Sequence, residues 1–156
     1  MNFKAVKNFQ NRGIGLVELL VTSAIVLIAF IAFFYGLVAC FRLAEVSKES
    51  LLVLQSANAK LEEIRQYNFA NTYNYYNAAT FEVAALPTGS SKGSIAIDNT
   101  NPNLLKVYIA VCWRSSDGRI IGEDKNLDGS LSPVEDVNSN NKIDSPIYLS
   151  TYVARH

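Results

Sequence analysis

An uncharged run of 23 residues, Leu19 to Phe41, constrains this chain more than any other feature of its sequence. At about 1.5 Å of rise per residue, a helix of that length spans about 34 Å, which is enough to cross the hydrocarbon core of a bilayer. A helix buried in a soluble core rarely needs apolar side chains on every face, so that alternative is disfavoured. The run therefore predicts a transmembrane helix.

Charged residues precede this run. Residues 1–13 contain Lys4, Lys7 and Arg12 but no acid, and Glu18 stands immediately before the run. Positive flanking residues stay on the cytoplasmic side, which directs the C-terminal part outward. An ionised carboxylate at membrane depth costs roughly 2.5 to 3.5 kcal/mol on insertion scales. Glu18 therefore either reaches the lipid headgroups or has a specific partner.

The stretch RGIGLVELLVTSAIVLIAF, residues 12–30, resembles the cleavage and methylation motif of type IV pilins and type II secretion pseudopilins. In that family a prepilin peptidase cuts after a glycine that ends a short basic leader. The new N-terminal residue is methylated, and a glutamate stands fifth in the mature chain. Gly13, Ile14 and Glu18 match these positions. The resemblance implies that residues 1–13 are removed and that the apolar helix begins the mature chain.

The resemblance also implies a partner for Glu18. Cleavage creates a positive amine on Ile14, and pairing with an opposite charge lowers the cost of a carboxylate in the membrane. In a filament, Glu18 of one subunit would meet the Ile14 amine of its neighbour and set the axial register. The implied partners are prepilin peptidase, other pilin or pseudopilin subunits and an inner-membrane assembly platform. In the alternative, Glu18 extends to the headgroups and has no specific role.

Beyond the apolar run, residues 42–66 have the pattern of an amphipathic helix. Apolar and small side chains recur at steps of three and four and form one stripe: Leu43, Val46, Ser50, Val53, Ala57, Leu61 and Ile64. No proline precedes Pro87, and no glycine lies between Gly36 and Gly89. We therefore expect one continuous helix, with residues 14–41 in the membrane or filament core and residues 42–66 covered by a sheet. A free-standing coiled coil is the alternative.

Residues 67–156 are expected to form a small antiparallel β-sheet domain, which gives an α+β, pilin-like fold. In the stretch LLKVYIAVCWR, residues 104–114, alternate side chains are apolar, which predicts a strand with one buried face. That face comprises Leu105, Val107, Ile109, Val111 and Trp113.

Shorter elements are also predicted in this domain. Strands are expected near residues 81–85, 94–98 and 147–153, and residues 67–80 are expected to be a loop. Asp117-Gly118 predicts a hairpin whose second strand covers residues 119–123. A disulfide between Cys40 and Cys112 is not expected, and Cys112 is predicted to be a half-buried thiol.

The stretch DKNLDGSLSPVE, residues 124–135, matches the calcium-binding loop of helix-loop-helix proteins. Gly129 takes the sharp turn, and the flanking residues supply oxygen atoms at the ligand positions. The candidate ligands are Asp124, Asn126, Asp128, Ser130, Ser132 and Glu135. Calcium takes roughly six to eight oxygen ligands, and this spacing brings them to one centre. The flanks are predicted strands, so no regulatory opening is implied.

The next stretch, DVNSNNKID (residues 136–144), repeats the beginning of this pattern. The corresponding residues are Asp136, Asn138, Asn140 and Asp144, with Asn141 in the glycine position. The twelfth residue is Ile147, which cannot close a metal cage. This stretch could bind calcium weakly, lend ligands to the first loop, or form a solvated turn. An affinity of about 10⁻⁴ to 10⁻³ M would suit an outward-facing site that orders residues 124–144.

Two classes of function follow from these motifs. The first is a structural subunit, minor in abundance, of a type II secretion pseudopilus or a type IV pilus. The calcium loop and the lack of cysteine after Cys112 favour the pseudopilus, since the resemblance extends to pseudopilins that use calcium there. The second is a solitary membrane-anchored calcium module, an adhesin or sensor, that never polymerises.

Other classes of function are disfavoured by the sequence. There is no Ser/His/Asp or Cys/His set and no phosphate-binding glycine loop, and the one histidine is His156, so we do not expect an enzyme. A formal net charge of zero removes the electrostatic footprint of a nucleic-acid-binding protein.

Overall fold

A computed structural model describes the secondary structure of residues 11–155 and the side chains of residues 15–155. The elements of this part are α1 (Asn11–Gln66), α2 (Phe69–Tyr76), β1 (Thr80–Phe81), β2 (Ser91–Asn101), β3 (Leu104–Arg114), β4 (Ile120–Ile121) and β5 (Ile147–Ala154). The chain divides into two compact units, Met1–Leu43 and Ala44–His156. One long helix and a small antiparallel sheet confirm the predicted α+β fold class.

The first unit contains the apolar part of α1. Every described side chain from Gly15 to Leu43 is exposed, including large apolar ones such as Leu19 and Tyr35. Exposed apolar surface in water costs about 25 cal/mol per Å², so this helix requires lipid or other helices around it. By length and composition it can span a membrane, and it is the one such helix among the described residues.

The second unit begins within α1 and uses the amphipathic stripe as its helical face. Val53, Ala57, Leu61 and Ile64 are buried, which confirms this part of the stripe. The prediction is wrong for Leu43, which is 69% exposed, because it is the last residue of the first unit and lies before the part of α1 that the core covers.

The sheet is antiparallel and is organised around β3. The order is β1-β2-β3 along one side, and both β4 and β5 pair with the other edge of β3. The register aligns Ile95 of β2 and Leu149 of β5 with Ile109 of β3, which places the three side chains in one row. The predicted strands at 104–114 and 147–153 are confirmed, and β2 contains the one predicted at 94–98.

The hydrophobic core lies between α1 and one face of this sheet. All five apolar side chains predicted on that face of β3 are buried: Leu105, Val107, Ile109, Val111 and Trp113. They pack in one cluster with Ile95 and Ile97 of β2, Val153 of β5 and the buried stripe of α1. Full burial of an aliphatic side chain stabilises the fold by about 1.5 to 3 kcal/mol relative to exposure.

The expected loop at 67–80 is wrong, since it contains α2. Asn68 caps this helix, and its side-chain oxygen accepts a hydrogen bond from Ala70 N at 3.0 Å. Tyr76 is buried, and its hydroxyl donates to Glu63 of α1 at 2.9 Å. Burial and the neighbouring Glu63 carboxylate raise the pKa of Tyr76 to about 12, so the hydroxyl remains a donor at neutral pH. Packing against α1 stabilises a helix that Asn-rich sequence disfavours.

Three other predictions need correction. The strand expected at 81–85 ends at Phe81, because turns closed by Val83 and Pro87 carbonyls follow it. The hairpin at Asp117-Gly118 forms, but its second strand is only Ile120–Ile121, since Gly122 adopts a positive φ of 110°. Cys112 is fully buried rather than half-buried, because Gly122 packs directly on it. Both cysteines are free thiols.

Candidate functional site

The residues predicted to act in processing and assembly lie near the start of α1. Gly13 and Ile14 are helical, but their side chains and the whole of residues 1–10 lie outside the described part. Glu18 is exposed and lies in a shallow groove with Gly15, Thr22 and other side chains of the same helix face. Thr22 donates its hydroxyl to the Glu18 backbone carbonyl at 2.7 Å. None of the described residues donates to the Glu18 carboxylate.

Small side chains continue the helix face that carries Glu18. Gly36 follows Glu18 by about five complete helical turns, so both lie on the same side of α1. A Cβ built on Gly15 or Gly36 meets nothing within 4 Å, so the helix backbone is open to a close neighbour at both positions. Small residues permit close backbone approach between helices in lipid. The face with the acid therefore permits close helix contact at these two glycines.

The candidate calcium ligands all lie in the connection between β4 and β5. Asp124 is buried, and its carboxylate accepts hydrogen bonds from the N–H groups of Asp128 at 3.2 Å and Gly129 at 2.8 Å. Gly129 has a φ of 82°, and a Cβ there would clash with Thr80 Cγ2. The turn therefore requires glycine, as the motif predicts, and the contact with β1 is a second reason that the sequence does not show.

Side-chain oxygens hold the first turn together. The Asn126 side-chain oxygen accepts from Asp128 N at 3.0 Å, and Asp128 Oδ1 accepts from Ser130 N at 2.6 Å. The Asn126 amide also donates to Asp128 Oδ2 at 2.8 Å. Asn126 and Asp128 thus lie beside each other in the structure. Their side-chain oxygens are bound to the turn's own N–H groups.

Glu135, at the end of this loop, binds backbone N–H groups at the beginning of the loop. It is buried, and Oε1 accepts from Lys125 N at 2.9 Å and Asn126 N at 3.3 Å. Oε2 accepts from the hydroxyl of Ser132 at 2.7 Å and from its N–H at 3.2 Å. The Ser132 hydroxyl, above all, and these N–H groups lower the pKa of Glu135. Glu135, the twelfth residue of the stretch, is therefore an ionised carboxylate that links the two ends of the loop by hydrogen bonds.

The second stretch adopts the same backbone turn as the first, twelve residues later. Asp136 accepts from the N–H groups of Asn140 at 3.0 Å and Asn141 at 2.9 Å, as Asp124 accepts from Asp128 and Gly129. The positive φ angles of Leu127 and Gly129 recur at Ser139 and Asn141. The sequence repeat is therefore also a structural repeat.

Asp144 joins the end of the second turn to its earlier residues, as Glu135 does in the first loop. Its Oδ2 accepts from the side-chain amides of Asn138 at 2.6 Å and Asn140 at 2.9 Å. Its backbone pairs with Glu123 at the other end of the connection, through Glu123 N to Asp144 O at 2.9 Å. Ser145 donates its hydroxyl to the Val111 carbonyl and so attaches the second turn to β3.

The donor set of both turns consists of hard oxygen atoms, which suit calcium or magnesium rather than softer metals. No group of three or more His, Cys, Asp or Glu side chains converges on one metal position within the described residues. A cation in the first turn would therefore draw on amide, hydroxyl and carbonyl oxygens as well as on the carboxylates. Ser130 contributes its N–H to the turn, and its carbonyl remains the predicted ligand.

Two further contacts were not anticipated from the sequence, because they join residues far apart in the chain. Glu49 of α1 accepts from Ser115 Oγ at 2.7 Å and Ser116 N at 2.9 Å, which attaches the helix to the β3–β4 turn. Burial raises the pKa of Glu49, but these hydrogen bonds outweigh burial and leave it lowered. The Trp113 indole N–H also faces this carboxylate, although it falls short of a hydrogen bond.

The other unanticipated contact is a cluster of tyrosines and lysines on the face of β3 and β5 opposite the core.

Comparison of the chain with protein-family models, with curated proteins and with solved structures finds no match. Proposals about the function of the chain therefore rest on its own residues and geometry.

Proposed function

We propose that this chain is a minor structural subunit of a type II secretion pseudopilus or a type IV pilus. The observation that carries the proposal is the exposed apolar helix with Glu18 immediately before its uncharged run. The Glu18 carboxylate has no donor among the described residues, and Gly13 stands at the spacing expected for cleavage. A carboxylate at membrane depth is stabilised by an opposite charge, and the freed amine of Ile14 supplies one on a neighbouring copy.

The steps of the proposal follow from the distribution of charge. Residues 1–13 stay cytoplasmic, and the second unit faces the periplasm. Prepilin peptidase cuts after Gly13, and Ile14 becomes a methylated N-terminal amine. An inner-membrane platform then moves the subunit from lipid into a bundle of helices. In that bundle, helix packing replaces the lipid that surrounded the exposed side chains of α1.

Calcium binding is the second part of the proposal. A single ion held by the loop from Asp124 to Glu135 would order a connection that contains no disulfide and little apolar core. The hydrogen-bonded turn from Asp124 to Ser130, and the bonds from Glu135 back to Lys125 and Asn126, support this role. The second turn, from Asp136 to Asp144, is proposed as a structural support for the first.

Millimolar calcium is expected to raise the unfolding temperature of the second unit in the full chain, and Asp128→Ala is expected to abolish that rise. At about ten times its Kd, which about 1 mM calcium reaches for an affinity of about 10⁻⁴ M, a ligand that binds only the folded state stabilises by about 1.4 kcal/mol, so the shift should be several degrees. The single tryptophan, Trp113, lies in the core of this unit, and its fluorescence reports the transition. Asp136→Ala is the control and should retain most of the calcium effect. Equal melting of the unsubstituted chain with calcium and with a chelator would remove the metal site.

Intact-mass analysis of the chain extracted from membranes tests the processing step. We expect the loss of residues 1–13 and the gain of one methyl group on Ile14. A Gly13→Val variant should retain the leader, since the motif places a glycine immediately before the cut. A full-length mass for the unsubstituted chain would instead favour the alternative, a solitary membrane-anchored calcium module.

A further inference from the structure

The tyrosine and lysine cluster lies on the sheet face opposite the core. Its members are Lys106 and Tyr108 of β3, Tyr148 and Tyr152 of β5, and Lys142 of the β4–β5 connection; we refer to these five residues as the Tyr–Lys face. Register pairs Lys106 with Tyr152 and places Tyr148 beside Ala110, so the side chains alternate with the buried ones. Neither filament contact through α1 nor the calcium loop uses this surface.

Both lysines converge on one aromatic ring. The Lys106 Nζ lies 4.9 Å from the centre of the Tyr108 ring, and the Lys142 Nζ lies 5.1 Å from the same centre. Lys106 also lies 5.6 Å from the centre of the Tyr152 ring. The rings of Tyr108 and Tyr148 are 5.9 Å apart. Cation–π attraction holds the ammonium groups at the surface, where it contributes about 0.5 to 1 kcal/mol each.

No carboxylate within the described residues neutralises these two ammonium groups at ion-pair distance. Asp98 is opposite Lys106 in the register, and its carboxylate accepts hydrogen bonds from the hydroxyl and N–H of Thr100. Its charge also acts on Lys106 and Lys142, but from beyond ion-pair distance. Asp144 accepts instead from the amides of Asn138 and Asn140. Both ammonium groups therefore lie around the Tyr108 ring without an ion-pair partner, and each has N–H groups from which a further carboxylate can accept.

The aromatic rings around the lysines are open to solvent. Tyr152 is 59% exposed and Tyr148 is 39% exposed. The negative face of an aromatic ring attracts partly positive C–H groups, such as those on the flat side of a sugar ring. Exposed rings beside two ammonium groups thus combine a stacking surface with sites for negative charge.

We propose that the Tyr–Lys face binds an acidic polysaccharide, with a carboxylate of the glycan between Lys106 and Lys142 and its sugar rings against Tyr148 and Tyr152. Single-stranded nucleic acid also stacks on aromatic side chains beside cations. It is the less suitable ligand, because a chain of zero net charge lacks the extended basic surface that a run of phosphates requires. A uronic-acid glycan needs only one carboxylate between the two lysines.

The second turn of the β4–β5 connection positions this face. Lys142 lies between Asn140 and Asp144, and its backbone N–H donates to the Asn140 side chain at 2.7 Å. The turn therefore fixes the backbone from which Lys142 reaches Tyr108. This gives the repeat a use that does not require a second metal ion, and it is independent of filament assembly.

The test is titration of the full-length chain in detergent with an oligomer of galacturonic acid. The methyl-ester form of the same oligomer, which has the same rings without the charge, and an oligothymidylate of equal charge serve as comparison ligands. We expect binding of the acid form that weakens with added salt, and little binding of the ester. The double variant Lys106→Gln/Lys142→Gln should weaken binding by about tenfold, and Tyr152→Ala by about threefold.

Matched substitutions elsewhere in the second unit control for general loss of charge or aromatic surface. Lys48→Gln removes an exposed lysine of α1, and Tyr75→Ala removes a tyrosine that is 63% exposed in a separate cluster. Both should bind the acid oligomer as the unsubstituted chain does, and Trp113 fluorescence should show that all variants are folded. The proposal is overturned by equal binding of the ester, by tighter binding of the oligothymidylate, by no binding, or by equal losses in the control variants.

Discussion

A Glu18→Ala variant is expected to be inserted and cleaved normally but to enter filaments at no more than about a tenth of the unsubstituted level. Removing the acid leaves the Ile14 amine of the neighbour without a counter-charge in a medium of low dielectric constant. Breaking one side of a buried ion pair typically costs more than the 1.4 kcal/mol that corresponds to a tenfold change. The measurement is the amount of the chain in a sedimented filament fraction, relative to the amount in the membrane.

Thr22→Ala is the matched control for this substitution. Thr22 lies in the same groove as Glu18, but its hydroxyl only returns to the helix backbone of its own chain. This variant should assemble almost normally, whereas Glu18→Gln should fail nearly as severely as Glu18→Ala, because a neutral amide cannot balance a positive amine. Normal assembly of Glu18→Ala would mean that the acid has no part in filament contact.

The second large effect is expected in the core of the second unit, where Trp113→Ala should lower the free energy of unfolding by about 3 to 5 kcal/mol. Trp113 is 1% exposed and packs between β3 and α1, so truncation leaves a large cavity. A domain of ordinary stability has about 5 to 15 kcal/mol in total, so this unit would lose a large share of its stability.

The Cys112 thiol offers a measurement of this effect that does not depend on tryptophan fluorescence. Cys112 is 1% exposed and its pKa is raised by burial, so a thiol reagent reaches it only when the sheet opens. In a Cys40→Ser background, Trp113→Ala should accelerate labelling by about a hundredfold or more. Trp113→Phe should have a much smaller effect, since it keeps most of the volume and removes an indole N–H that makes no hydrogen bond. Unchanged labelling of the alanine variant would show that this side chain does not stabilise the sheet.

The parts of the fold that the sequence predicts well are those in which a periodic pattern meets a buried face. Alternation in β3 identified all five core side chains, and three-four spacing in α1 identified the stripe from Val53 to Ile64. The α2 helix was missed because Asn and Tyr residues have weak helix propensity, and only the cap at Asn68 and packing against α1 stabilise it. The α2 helix depends on tertiary contacts, which a local sequence pattern does not contain.

The candidate site also has parts that local sequence predicts and parts that depend on distant contacts. Fixed spacing located the turns at Asp124 and Asp136, because side chains in such turns bind N–H groups only a few residues away. The hydrogen bonds of Glu49 and the convergence of Lys106 and Lys142 on Tyr108 depend on strand register and on the path of a long connection. These contacts became visible only when the distant segments were brought together by the fold.

The most direct test of the account is whether the Ile14 amine of one copy touches the Glu18 carboxylate of another. A membrane-permeant carbodiimide joins an amine and a carboxylate in contact as an amide, with loss of water and no added atoms. In filaments assembled from a mixture of isotopically light and heavy chains, we expect peptide pairs in which Ile14 of one label is joined to Glu18 of the other. Filaments of processed chains that yield no such mixed pair, or coupling only within a single copy, would contradict the account.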